Sequence, residues 1–197
     1  GFGRTGTMWG SETFDIKPDI ITAAKALSSA YLPISAVLLS DKVYKPIESY
    51  ANKLGIFGHG YTYSAHPVCA AVALRTQQLM VERNILENVN NVAIDFSKRI
   101  SELEEKYWFI GNSRSVGLIG GIELCFENNK KFNSSKKIAA KIVKVIQQNG
   151  VILRALPGDI IGLCPPLIIT RDQISDMFDR ISKSMLEADK IALESME

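Results

Sequence analysis

Two side chains stand in settings where chemistry is possible. Lys25 follows the short apolar run Ile20-Ile21-Thr22 and has Ala23, Ala24, Ala26, Ser28 and Ser29 around it. Small neighbours leave space beside the amine for a flat ring. A partly desolvated ammonium holds its proton less tightly, and a neutral amine attacks an aldehyde to form a Schiff base. A lysine that snorkels from a strand end to water would have the same local sequence, so this stretch alone leaves both readings open. Arg154 lies in Val151-Ile152-Leu153-Arg154-Ala155-Leu156, an apolar strand ended by a turn. A guanidinium there needs a carboxylate partner or water; a structural ion pair is the plain alternative. A third signal is Gly1-Phe2-Gly3-Arg4-Thr5-Gly6, which matches the dinucleotide pattern G-x-G-x-x-G. That pattern has meaning between a strand and a helix. Thr7-Met8-Trp9-Gly10-Ser11 does not start an apolar-striped helix, and the acid expected about 20 residues on could only be Asp19, at a strand start. A tight glycine turn is the preferred reading, with a dinucleotide-binding oxidoreductase as the alternative.

The elements that must position these residues follow from periodicity and turn chemistry. Residues 1–18 read as loop. Asp19–Thr22 and Ser35–Ser40 read as short buried strands on either side of the lysine. Asp41 caps a short helix through Tyr44 to Tyr50, and three glycines from Gly55 to Gly60 make a loop. Pro67 stands near the first turn of a helix over 67–83, where its missing N–H costs little. Ile85, Val89, Val92, Phe96, Ile100 and Leu103 form the apolar face of a helix over 85–106. Val116–Leu124 reads as one strand whose glycines mark a bulge or a close backbone approach. Ser134 and Ser135 open a helix to Gln148, stopped by Asn149-Gly150. Val151–Ala155 and Ile160–Leu163 are strands around the turn Pro157-Gly158-Asp159, and Pro165-Pro166 breaks the second. Thr170 caps a helix over 171–194 with Ile174, Met177, Phe178, Ile181 and Met185 on one face. No internal repeat is present.

Composition narrows the function classes. Hydrophobic residues make up 46% and charged residues 22% of 197, the balance of a globular chain with a sizeable core. Basic and acidic residues number 23 and 21, for a net charge of +2, so no clustered basic surface for nucleic acid is expected. Lys130, Lys131, Lys136 and Lys137 read as a solvated loop. Cys69, Cys125 and Cys164 are widely spaced and only two histidines accompany them. Neither a zinc site nor a disulfide framework is expected, which points to a reducing compartment. The thiols read as small core residues. No apolar run reaches the length of a membrane span, and the opening residues do not read as a secretory leader. The expected location is cytoplasmic, with a removed organellar transit peptide as the alternative. The chain opens at Gly1 inside a motif rather than at Met, so an upstream portion is expected.

Taken in order, Gly1-Phe2-Gly3-Arg4-Thr5-Gly6, Pro18-Asp19-Ile20 leading into Ala24-Lys25-Ala26-Leu27, and His59-Gly60-Tyr61-Thr62-Tyr63-Ser64-Ala65-His66-Pro67 resemble the class III, or ω-, aminotransferases. Val116–Leu124 resembles that family's glycine-rich strand, and Cys164-Pro165-Pro166-Leu167-Ile168-Ile169-Thr170 its closing motif. The resemblance implies an α/β fold: the C-terminal part of a pyridoxal-phosphate fold type I large domain, followed by a small α+β C-terminal domain. Residues 1–84 would belong to the large domain, 85–108 to a linking helix and 109–197 to the small domain. Lys25 matches the Schiff-base lysine. Thr62 matches the residue whose hydroxyl and N–H bind the cofactor phosphate of the neighbouring subunit, with Tyr61 beside it, so a homodimer is implied. A hydroxyl and N–H groups near Gly60 suit an anion; a plain loop threonine is the alternative. Arg154 matches an arginine that binds substrate carboxylate, a task for which a bidentate guanidinium is suited. Arg4 matches a position read as structural.

The implied activity is transfer of an amino group from an amine or ω-amino acid donor to a 2-oxo acid acceptor such as pyruvate, with pyridoxal 5′-phosphate as cofactor. Lys25 would move the proton at the donor's α-carbon. The family's acid for the pyridine nitrogen lies upstream of the Gly1–Gly6 block, so this segment alone is expected not to transaminate. An inactive fragment or interaction module is a further alternative, favoured if an upstream acid were lacking.

Overall fold

Short apolar runs and amphipathic stretches resolve into six strands and six α-helices in a computed structural model, which describes residues 1–126 and 130–196. The chain divides into two units, Gly1–Phe2 with Thr7–Leu86, and Gly3–Gly6 with Glu87–Glu197.

In the first unit, α1 (Gly10–Thr13) precedes β1 (Ile20–Ala23), a 3-10 turn over Lys25–Ser28, β2 (Ala36–Leu39), α2 (Asp41–Leu54) and α3 (Pro67–Glu82). β1 and β2 are antiparallel, from Ile20↔Leu39 to Ala23↔Ala36, so the ladder closes the loop that carries Lys25. The two strands differ from the expected buried ones. Ala23 is their one buried residue, and Val37, Leu38 and Leu39 are exposed, because a two-stranded ribbon cannot cover both of its own faces. α2 starts after Ser40, whose hydroxyl donates to Asp19 rather than capping. Asp41 is instead the first helical residue, where its charge suits the helix dipole. Gly55, at φ 71°, ends that helix. Pro67 occupies the first turn of α3, as its chemistry favours.

The second unit holds most of α4 (Ile85–Lys106), then β3 (Ile110–Val116), β4 (Ile119–Leu124), a 3-10 turn over Ser134–Lys136, α5 (Ile138–Gln148), β5 (Arg154–Leu156), β6 (Ile160–Leu163) and α6 (Arg171–Glu194). The strands form an antiparallel sheet in the order β3-β4-β6-β5. Val89, Val92, Phe96, Ile100 and Leu103 of α4 are buried, as are Ile174, Phe178, Ile181 and Met185 of α6. Phe96 and Phe178 meet edge to face, centroids 5.9 Å apart, and Arg99 pairs with Asp179 at 2.6 Å at the rim. Each fully buried side chain of this kind stabilises the fold by about 1.5–3 kcal/mol. Thr170 caps α6 by accepting from the Gln173 N–H, while the Gln173 side chain accepts from the Thr170 N–H, a capping box.

Val116–Leu124 is not one strand: it holds the last residue of β3, the turn and the whole of β4, the second strand of a hairpin. Gly117, at φ 55°, makes the turn between β3 and β4. β3 escapes a hydrophobicity reading because its core, Gly111-Asn112-Ser113-Arg114-Ser115, is polar. The close approach expected of a strand glycine does occur: a Cβ on Gly120 would lie 2.5 Å from Ile100 Cδ1. Ser134 and Ser135 form only a 3-10 turn; Lys137 turns left-handed at φ 49° and α5 begins at Ile138. Only Arg154–Leu156 of the expected Val151–Ala155 strand pairs. Met177 is half-buried, at the edge of the α6 stripe.

Candidate active site

Lys25 opens the 3-10 turn directly after β1. Its own φ is 51°, and Ser29 and Ala30 follow at 51° and 59°. Left-handed backbone is uncommon for residues other than glycine, and such strain concentrates at functional sites. Two side chains hold the turn. Ser28 is buried and its hydroxyl donates to the Leu32 carbonyl at 2.7 Å. Gln77 of α3 donates to the Leu27 carbonyl at 2.9 Å, while its Oε1 is buried without a partner. Neither stood out in the sequence. Ser28 was legible only as one small residue among several, and a contact across 50 residues leaves no local signal.

Lys25 lines a cleft of about 550 Å3 with Phe2, Trp9, Phe14, Ile21 and Ala24 among its walls. The ε-amine makes no ion pair among the described residues. The expected partial desolvation is not met within this unit: Lys25 is exposed, because its small neighbours cannot cover a long side chain.

Tyr61 and Thr62 lie in the turn before α3. The Ser64 N–H donates to the Tyr61 carbonyl at 2.9 Å, and the Tyr61 N–H donates to Ser64 Oγ at 2.8 Å. Thr62 is exposed at the head of this turn, and its hydroxyl and N–H have no hydrogen-bond partner among the described residues. Ala65, at φ 56°, leads into His66 and α3. Tyr61 stacks edge-on against His59, centroids 5.5 Å apart. It lines a second cleft, of about 1110 Å3, with Leu32, Val37, Tyr63 and Val68. Lys25 and Tyr61 thus open on different clefts of one chain.

Arg154 starts β5 opposite Gly162, on the sheet's edge, and is exposed. It forms no ion pair with an acid among the described residues, so the structural salt bridge considered for it is not found there. Arg4 is different. It is half-buried, and its guanidinium donates to the Leu118 carbonyl at 3.0 Å and to the Pro165 carbonyl. Burial pulls it below the ordinary arginine value. Gly3 and Gly6 close a tight turn, the Gly6 N–H donating to the Gly3 carbonyl at 3.0 Å. The next helix, α1, is four residues long, so the strand–turn–helix context of a dinucleotide site is not present in this stretch.

Comparison with known proteins bears on this arrangement. Residues 1–185 match the model of the family described as Aminotransferase class-III. An uncharacterised aminotransferase of Sinorhizobium fredii is 40% identical over 188 residues, 94% of this chain and 40% of that protein. A mitochondrial gamma aminobutyrate transaminase of Solanum lycopersicum is 42% identical over 193 residues, 96% of this chain and 37% of that protein. Among solved structures, a transaminase with L-Ala superposes with a TM-score of 0.90 at 41% identity, covering 96% of this chain and 45% of that one. A PMP-bound aminotransferase from Vibrio fluvialis gives 0.90 at 32% identity, covering 99% and 42%. The fold is that of these transaminases. The chain spans about 40% of the length of the curated relatives it matches.

Proposed function

Because this chain belongs to the class-III aminotransferases, a pyridoxal-phosphate-dependent family, we propose that it carries the reactive lysine of a transaminase. The reaction moves an amino group from an amine or ω-amino acid to a 2-oxo acid such as pyruvate. One observation carries the reading: Lys25 sits in a strained, left-handed turn on a cleft, its amine unclaimed by any acid among the described residues.

The residues fit the cofactor. Lys25 would hold it covalently, with Ala24 and Ala26 leaving room for the ring. The Thr62 hydroxyl and N–H, with Tyr61 beside them, would hold the phosphate of the neighbouring subunit's cofactor. When bound, pyridoxal phosphate supplies an electron sink for charge at the donor's α-carbon. The Lys25 amine would take the proton from that carbon as base and, as the conjugate acid, pass it on to a different atom rather than back, so that the amino group can leave the donor. Arg154 grips a substrate carboxylate through two parallel N–H bonds, which its freedom from acids among the described residues supports. The opening of Lys25 and Tyr61 on different clefts supports a homodimer whose subunits complete each other's sites.

Borohydride reduction of the full-length enzyme with its cofactor, followed by peptide mapping, tests the central assignment. The pyridoxyl label is expected on Lys25, and a label on any other side chain would refute it. A second reading has specific support in the likeness to a gamma aminobutyrate transaminase. Steady-state rates with pyruvate against 2-oxoglutarate separate the two. Preference for 2-oxoglutarate with β- or γ-amino acids would favour the second.

A further inference from the structure

β5 is three residues long and, among the described residues, has β6 as its one sheet neighbour, through Arg154↔Gly162, Ala155↔Ile161 and Leu156↔Ile160. So short a ladder specifies its register weakly, and a slip of one residue would turn Arg154 to the opposite face. The register therefore depends on the loop at 157–159. Gly158 and Asp159 both turn left-handed there, at φ 82° and 53°; Asp and Asn tolerate that region better than other side chains.

Both ends of Asp159 are engaged. Its Oδ1 accepts from the Ala139 N–H at 3.0 Å, in the first turn of α5. α5 lacks a cap of its own, because Lys137 precedes it in a left-handed conformation and makes no side-chain cap bond. Asp159 thus does from a distant loop what an N-cap aspartate does locally, and its charge meets the positive end of the helix. Its carbonyl accepts from the Leu124 N–H at 3.0 Å, at the end of β4. One residue joins the hairpin turn, the start of α5 and the end of β4, and α5 in turn packs against β5 and β6.

We propose that Asp159 is a positioning residue for Arg154: it pins the β5–β6 hairpin to α5 and β4 and so fixes the face of the sheet edge from which Arg154 meets a substrate carboxylate. This rests on the reading of Arg154 given above. The test compares Asp159→Ala, Asp159→Asn, Asp159→Gly and Arg154→Ala in the full-length holoenzyme. Two quantities are read: the ratio of kcat/KM for β-alanine over 1-phenylethylamine, and amide hydrogen exchange across residues 138–163. Asp159→Ala is expected to lower the ratio by about fivefold or more, the scale of one lost cap bond, and to speed exchange at β5 and the first turn of α5. Asparagine keeps the acceptor and tolerates the backbone, so it restores both readouts. Glycine relieves the backbone but has no acceptor, so it restores neither. An unchanged ratio in Asp159→Ala, with a lowered one in Arg154→Ala, overturns the inference and leaves Arg154 standing. Full restoration by glycine also overturns it, since the carboxylate would then be dispensable. An unchanged ratio in Arg154→Ala sinks the role of Arg154 itself. Exchange then still decides the pin, and equal protection in Asp159→Ala and the parent would refute it.

Discussion

At the scale of single residues, the proposed cofactor contacts lie at or near left-handed backbone. Lys25 at φ 51° and Ala65 at φ 56° flank the two candidate cofactor contacts, one at the amine and one beyond Thr62. Ala65→Gly is expected to stabilise the full-length protein. Relief of left-handed strain is worth about 1–2 kcal/mol and outweighs the glycine's unfolded-state entropy of about 0.5–1 kcal/mol. The net gain, on the order of 0.5–1 kcal/mol, would be read as a higher urea midpoint. On the proposed reading, Thr62→Ala would remove one hydroxyl bond to the cofactor phosphate. It is expected to weaken pyridoxal-phosphate binding by about tenfold, measured by equilibrium dialysis. Undiminished binding would remove Thr62 from the site.

At the scale of elements, glycines decide how strands and turns meet. A Cβ on Gly117 would lie 2.5 Å from the Arg4 carbonyl oxygen and 2.6 Å from the Thr5 carbonyl carbon, and the residue itself turns left-handed. The Leu118 N–H donates back to the same Arg4 carbonyl at 2.9 Å. Gly117→Ala is therefore expected to destabilise by about 2 kcal/mol or more, because the atoms in its way are backbone. Chemical denaturation would show it, and a neutral result would mean that the β3–β4 turn moves freely from Arg4. Element identity was legible where periodicity was strong, as in the α4 stripe and the α6 cap. It failed at β3, whose polar alternation has no apolar signature, and at the start of α5, whose cap lies 20 residues away on another hairpin.

At the scale of the whole molecule, burial is uneven. The second unit holds nearly all the large buried side chains, whereas α2 and most of the β1–β2 ribbon in the first are uncovered. Charge adds a pH dependence to the second unit. Lys131, with Arg114 as a further partner, holds the Glu123 carboxyl below its ordinary value of 4.5. Unfolded Glu123 therefore takes up its proton first as pH falls. Its contribution is complete above the ordinary glutamate value and is lost as pH drops through the lower folded value. Glu123→Gln is expected to flatten the loss of unfolding free energy over that acid range. An equal slope in both proteins would show that the pair carries no linkage.

The amino-acid sequence by itself determined the order of motifs, the family resemblance they carry, and the apolar faces that make α4 and α6 pack, because these depend on residue type and spacing along one chain. It singled out Lys25, Tyr61, Thr62 and Arg154, but not the side chains that hold them. Tertiary structure alone decided that Gln77 reaches the loop after Lys25, that Arg4 spends its donors on two carbonyls rather than on an anion, and that Asp159 caps a helix it does not belong to. Each is a hydrogen bond between residues far apart in the chain, and its geometry exists only once the backbone has closed on itself.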